Sequence, residues 1–255
     1  MLPGDAYPLT HARIIHARNW LAGGTVTAST TATDYFATAP TNSLTYERWK
    51  PTAVPATWEY NHGSAAAVDC CAVAAHTLTG RVVAVEYWNG SAWVEVARGT
   101  ITDNGPILFI FALISAQRWR INVLSGSAPE VGVIRFARAL QMPRPLYGGH
   151  TPVEYGRRVV LRSNYTETGE FVGRTRQSVM LQTSCAWQHL PEAWVLANWP
   201  AMQRAIESEA FFIAWRPAES QMVAFGQTDD VPQPQTMGLR DYYEVDLSFR
   251  AHSYD

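Results

Sequence analysis

Two alternating apolar stretches, residues 82–88 and 91–97, meet at Asn89-Gly90. Asn-Gly is the strongest two-residue hairpin signal, since both residues tolerate the positive φ such a turn requires. In that register Trp88 pairs with Ser91, Tyr87 with Ala92, Val85 with Val94 and Val83 with Val96. One face is then wholly apolar (Val83, Val85, Tyr87, Ala92, Val94, Val96) and must be covered. The other sets Glu86 against Trp93 and Ala84 against Glu95 and faces outward.

More strands follow at short spacing. Residues 107–114 form an apolar run after Asn104-Gly105-Pro106. Residues 118–124 alternate, with Trp119, Ile121 and Val123 on one side and Arg118, Arg120 and Asn122 on the other. Residues 131–140 form a last strand, closed by Pro143 and Pro145. Short strands separated by turn signals predict a β-sandwich. Upstream, residues 1–22 form an N-terminal segment holding one short alternating stretch, and 23–44 read as loops and weak strands.

The most loop-like stretch, 143–156, marks the expected linker between a first module at 23–142 and a second at 157–255. In the second, 158–164 and 170–187 bracket a turn, 211–216 and 221–227 read as strands, and 241–252 alternates. Residues 190–210 are the one good helix candidate, with Pro191 suited to its first position and Pro200 expected to split it. The fold class is therefore mainly β: two β-sandwich modules, the second with a short helical interruption.

Composition narrows the function classes. Charged residues are only 16 % of the chain and Lys50 is its one lysine. Arginine is favoured and lysine depleted at protein interfaces, although a GC-rich genome gives the same bias. A net charge of -2 gives no electrostatic footprint for nucleic acid. No apolar run approaches the ~20 residues of a membrane-spanning helix, and no secretory signal is expected at the N-terminus. Cys70, Cys71 and Cys185 read as small buried residues.

No motif carries catalysis. The seven histidines show no metal-ligand spacing, no nucleophile elbow or phosphate loop is present, and no carboxylate pair shares a face. Cys185 with His189 is a conceivable nucleophile and base, but Cys185 lies in an apolar strand. No catalytic residue, cofactor or metal is expected. The aromatics remain: Trp88 and Trp93 on the outer hairpin face, with Asn61 and His62 in a neighbouring loop, are the candidate contact residues. Such a face can hold sugar rings, anchor a protein partner, or be covered by the rest of the chain.

Residues 23–142 resemble the discoidin-like, galactose-binding-like β-sandwich family in an ordered set of features. These are Thr27-Ala28-Ser29, Thr45 to Trp49, the apolar strand 65–73, Ala75 to Leu78, strand 82–87, Asn89 to Trp93, and Arg118 to Ile121. The paired-cysteine bridge of secreted members is missing, and sugar binding does not follow from the likeness alone. With Val131 to Ala137 closing the first module and a sheet–helix–sheet plan after it, the chain resembles distal tail proteins of long-tailed bacteriophages. That likeness implies a structural component of the tail tip or baseplate, made in the host cytoplasm and resident in the virion. It implies a homo-oligomeric ring contacting the tail tube protein, hub or fibre proteins, and a host surface glycan in some members. Two alternatives stand beside it: a carbohydrate-binding, receptor-recognition module, and a cell-wall hydrolase.

Overall fold

The computed structural model describes residues 1–16, 23–238 and 241–254. The chain is mainly β, with two antiparallel sheets and one α-helix among these residues. Residues 17–22 of the expected N-terminal segment lie outside them.

The first sheet contains β2 (Thr25–Ala28), β3 (Ala56–His76), β4 (Val82–Trp88), β5 (Trp93–Thr100), β6 (Ile107–Val123) and β7 (Val131–Ala137). Its axis is the β3–β6 pair. The sequence predicts two strands in 107–124, yet β6 is a single strand of 17 residues. The physical reason is a pair of register shifts against β3, between Asn61 and Ala66 and between Val68 and Cys70. Such irregularities bend strands, so β3 and β6 pass from one layer to the other without a turn. One half of the pair joins β2 and β4, with β5 beyond β4, and the other half joins β7. The two layers close on a core that includes Trp58, Trp119, Val85, Cys71, Phe109 and Phe136.

The hairpin at Asn89 forms, but not in the expected register. Trp88 pairs with Trp93 and Tyr87 with Val94, and a bulge after Val85 shifts the rest, so that Val83 faces Gly99. The loop has four residues because the Asn89 side chain organises it. Its Oδ1 accepts hydrogen bonds from the backbone N–H groups of Ser91 (2.9 Å) and Ala92 (2.9 Å). Asparagine's local capping has prevailed over the two-residue turn.

The second sheet runs β8-β1-β11-β12-β14-β10-β9, with β13 beside β14. Its strands are β1 (Arg13–His16), β8 (Leu140–Gln141), β9 (Arg157–Tyr165), β10 (Phe171–Pro191), β11 (Phe211–Ala214), β12 (Val223–Gln227), β13 (Gln235–Thr236) and β14 (Tyr242–Ala251). The N-terminal strand thus belongs with the C-terminal half: β1 pairs with β11 on one side and β8 on the other. The expected strand over 131–140 is split, β7 going to one sheet and β8 to the other. The first sandwich is inserted between two strands of the second sheet.

Both faces of that sheet are covered at β11 and β12. Phe211 and Ile213 of β11 face a core shared with helix α1 (Glu192–Ile206), which contributes Val195, Trp199, Met202 and Ile206 at helical spacing. Phe212 and Ala214 point the other way, with Phe225, onto Cys70, Ala72 and Ala74 of β3. Small residues on β3 let the sheets approach closely, and Cys70 and Cys71, adjacent on a strand, face different cores. α1 is continuous through Pro200, contrary to the expected split. Pro200 is exposed, so water can reach the carbonyl it leaves unbonded. Asn198 Nδ2 also donates to the Trp194 carbonyl (2.8 Å).

Candidate functional site

Cross-strand neighbours share a sheet face, and this brings three of the four sequence candidates together. Trp93, Trp88, Arg118 and Asn61 form one row across β5, β4, β6 and β3. Glu86, Arg120 and Glu59 form the next row. Asn61 is therefore in a strand, not in the loop expected from sequence. His62, the next residue, points to the opposite face, its ring 6.3 Å from that of Tyr60.

Row geometry determines what the tryptophans can do. Their rings meet edge-to-face at 5.5 Å. The Arg118 guanidinium lies 5.1 Å from the Trp88 ring and 5.2 Å from Trp93, and Arg120 lies 4.2 Å from Trp93. Both arginines are themselves paired, Arg118 with Glu59 at 2.6 Å and Arg120 with Glu86. Half-buried rings already covered by cations make a closed cation–π lattice, not an open stacking platform.

An open aromatic site lies elsewhere, in loops that the sequence marks only as weakly structured. A cleft of about 290 Å³ includes Asp34, Phe36, Asn42, Tyr46, Glu47 and Arg48 in its lining. Phe36 is 67 % and Tyr46 75 % exposed, unlike the tryptophans. The loops are held by the sandwich core: Trp49 Nε1 donates to the Thr30 carbonyl (3.0 Å) and Trp58 Nε1 to that of Ala37 (2.7 Å). From behind, the buried Arg135 donates to the Thr41 carbonyl (2.9 Å) and the Ser43 hydroxyl (3.0 Å). Ser43 in turn donates to Glu209 (2.9 Å), beyond α1. At the base, Tyr35 donates to Glu130, which also pairs with Arg48 and Lys50 (3.1 Å each). The Tyr35 hydrogen bond, with these cations, holds the Glu130 carboxyl below its usual range. The sequence signal was there in Tyr35-Phe36 and Tyr46, aromatics in a run of Thr, Ala and Ser.

A third feature is the hairpin of β9 and the first half of β10. β9 is the edge strand of its sheet. Val159, Val160, Leu161, Tyr165, Phe171 and Val172 are all exposed on it, between 36 % and 66 %. Arginines accompany them at 157, 158, 162, 174 and 176. Among the described residues no layer covers this apolar, arginine-bearing arm.

Among the described residues, no group of three or more His, Cys, Asp or Glu side chains could hold a metal. Cys185 is fully buried and burial pushes its thiol up to about 12, whereas His189 is exposed. A thiol so held is not a nucleophile. No described helix is long and apolar enough to cross a membrane.

No protein-family model matches the sequence, and no curated protein does. Solved structures do resemble it at a distance. The family 32 carbohydrate-binding module of C. perfringens NanJ, solved with galactose, is 17 % identical, with a TM-score of 0.43, over 49 % of this chain and 98 % of the module. Chitosan-binding module 1 of a Paenibacillus sp. IK-5 chitosanase/glucanase is 18 % identical, with a TM-score of 0.41, over 47 % of this chain and 99 % of the module. A putative alpha-L-fucosidase from Bacteroides thetaiotaomicron is 17 % identical, with a TM-score of 0.43, over 51 % of this chain. The matched part spans only 30 % of the fucosidase's length.

Proposed function

We propose that the chain is a non-catalytic assembly protein that closes into a ring of identical copies, placed at the distal end of a bacteriophage tail tube. The observation that carries the assembly reading is the β9–β10 arm: six large apolar side chains are exposed beside arginines, four of them on the edge strand β9 and two on β10. Sheet edges of this kind are normally covered or blunted; here a neighbouring copy supplies the cover. The tail-tip placement rests on the sequence resemblance, and it names the tail tube protein, hub and fibres as further partners within the virion. Sedimentation of the purified chain tests the assembly reading. Wild type sediments as a closed oligomer, and replacing Leu161, Phe171 and Val172 together by serine leaves a folded monomer. A wild-type chain that stays monomeric at every concentration overturns it.

A second reading, carbohydrate recognition, is favoured by the Phe36–Tyr46 cleft. Exposed aromatic rings beside carboxylate, amide and guanidinium groups are the chemistry that holds a sugar ring, apolar face on the aromatic and hydroxyls on the polar rim. This moves the candidate sugar contact from Trp88 and Trp93 to the 34–48 loops. Titration with galactose and chitotriose tests it: binding should be lost in Tyr46→Ala and kept in Trp93→Ala. The reverse pattern would return the contact to the tryptophan row, and no binding of either sugar leaves assembly alone.

A further inference from the structure

We infer that the arm of one copy seats in the groove between β10, β14 and β13 of the next copy, making a head-to-tail contact. The inference rests on the assembly reading above and names the surface that receives the arm.

Charge selects the groove. From residue 157 to 176 the arm carries five arginines against two glutamates. Of four clefts lined by described residues, three have an arginine in their lining: Arg138 beside α1, Arg48 in the aromatic cleft and Arg144 near Tyr147. The fourth, of about 350 Å³, has Glu244 and Asp246 and no cation among its described lining residues, with Gln188, Gln233 and Gln235 around them. Glu244 accepts a hydrogen bond from Gln188 (3.1 Å), which fixes it at the groove wall, and Asp246 is exposed.

Spacing agrees with charge. Arg174 and Arg176 are two apart on β10, so both project from one face of the arm. Glu244 and Asp246 are two apart on β14 and likewise share a face. An extended arm laid along the groove therefore meets two carboxylates with two guanidiniums at a matching repeat of roughly 7 Å. Polar side chains from three glutamines are available to the arm's backbone and hydroxyl groups at the rim.

Geometry forbids self-docking. Arg176 and Gln188 lie on one strand, roughly 40 Å apart along an extended chain, and β10 runs from arm to groove without a turn. The arm points away from its own groove, so the groove it fills is a neighbour's. Contact between two different patches is heterologous, and it closes into a ring when the rotation between copies is a whole fraction of a turn.

Reversing charges on the full chain tests the inference, with sedimentation as readout and a thermal melt as fold control. Arg174→Glu with Arg176→Glu should weaken assembly at least tenfold, as should Glu244→Arg with Asp246→Arg. The four changes together should restore assembly to within about threefold of wild type, because the pairs are then exchanged. Should the groove reversal lower the melting temperature, the milder Glu244→Gln with Asp246→Asn replaces it and should still weaken assembly several-fold. If groove variants assemble like wild type while arm variants do not, the arm docks elsewhere; this inference is wrong and the assembly reading survives. If a folded four-fold variant fails to assemble, the pairing is likewise wrong. If wild type never assembles, both fall.

Discussion

Strands β3 and β6 on one side, and β9 with the first half of β10 on the other, are long antiparallel pairs built from similar residues. Their fates differ. Every residue of β3 from Val68 to His76 is buried, alternate side chains entering the sandwich core and the layer against the second sheet. In β9 every residue except Ser163 is exposed. Apolar content does not separate the pairs, since Val159, Val160 and Leu161 would suit a core. What separates them is a covering layer: β3 has one on each face within its own chain, and the arm has none among the described residues. That contrast is the ground of the assembly reading proposed above.

The largest effect that would sharpen this contrast is expected at Trp119. It is fully buried against Phe111 (5.4 Å between ring centroids), Tyr87 (5.6 Å) and Phe136 (5.8 Å). Trp119→Ala should cost about 3–5 kcal/mol of unfolding free energy in denaturant. A cost under about 1 kcal/mol would mean that the sandwich is not the rigid half of the molecule.

Next comes the pH response of the buried half. Burial pushes the pKa of His76 down to about 4, with Arg48 and Arg81 acting in the same direction. Its Nδ1 accepts the Leu78 N–H at 3.2 Å, which requires an unprotonated nitrogen. The unfolded chain takes up that proton near pH 6.5. Stability from this group is therefore complete above about pH 7 and is lost as pH falls from 6.5 towards 4. The loss should be on the order of 3 kcal/mol. Unfolding measured at pH 7 and pH 4.5 should show a gap that shrinks in His76→Gln. An equal gap in both proteins would remove His76 as its source.

The layer between the sheets should respond more mildly. Ala72 packs with Cys70 and Ala74 opposite Phe212 and Phe225, whose ring centroids are 4.6 Å apart. Ala72→Leu should overpack this layer and lower stability by about 1–3 kcal/mol. A neutral or stabilising result would show space between the sheets that the packing denies.

Individual strands were largely legible in the sequence, and so was the mainly β class. Alternation located β4 and β14 within a few residues, and the turn at 166–169 located β9, because period-2 patterning and turn chemistry are local. Long-range pairing was not: nothing in residues 13–16 says that their partners are at 211–214, so the insertion of one sandwich into the other sheet was hidden. The misread registers have local causes, the Asn89 side chain in the β4–β5 loop and the bulges that let β6 bend. At the candidate site, Trp88 and Trp93 were correctly placed on the outer face, since alternation fixes that. Their capture by Arg118 and Arg120 depends on β6 lying beside β4, which only the fold supplies. The open aromatics Phe36 and Tyr46 sit in irregular loops, where no periodicity reports exposure.

Between core and arm stands Trp93, half-buried and stacked on two arginines. Trp93→Ala should cost about 1 kcal/mol, near the value of a partly solvated cation–π contact with its packing. A loss of 3 kcal/mol or more would class the row with the core.

The smallest effect is expected on the exposed arm. In the isolated subunit Phe171 touches only Tyr165 among described rings, edge-to-face at 5.7 Å, and is 59 % exposed. Its truncation leaves no cavity and strands no polar group, so Phe171→Ser should change subunit stability by no more than about 0.5 kcal/mol. Measured by denaturation at a concentration where the chain is monomeric, this should stand beside the far larger loss at Trp119. The same substitution examined at high concentration should lower the apparent stability of the assembly, because only the oligomer buries that ring. A concentration-dependent loss thus locates the missing layer on a neighbouring copy. A loss of 2 kcal/mol or more in the monomer would place the arm against its own subunit, and the contrast between covered and uncovered strands would disappear.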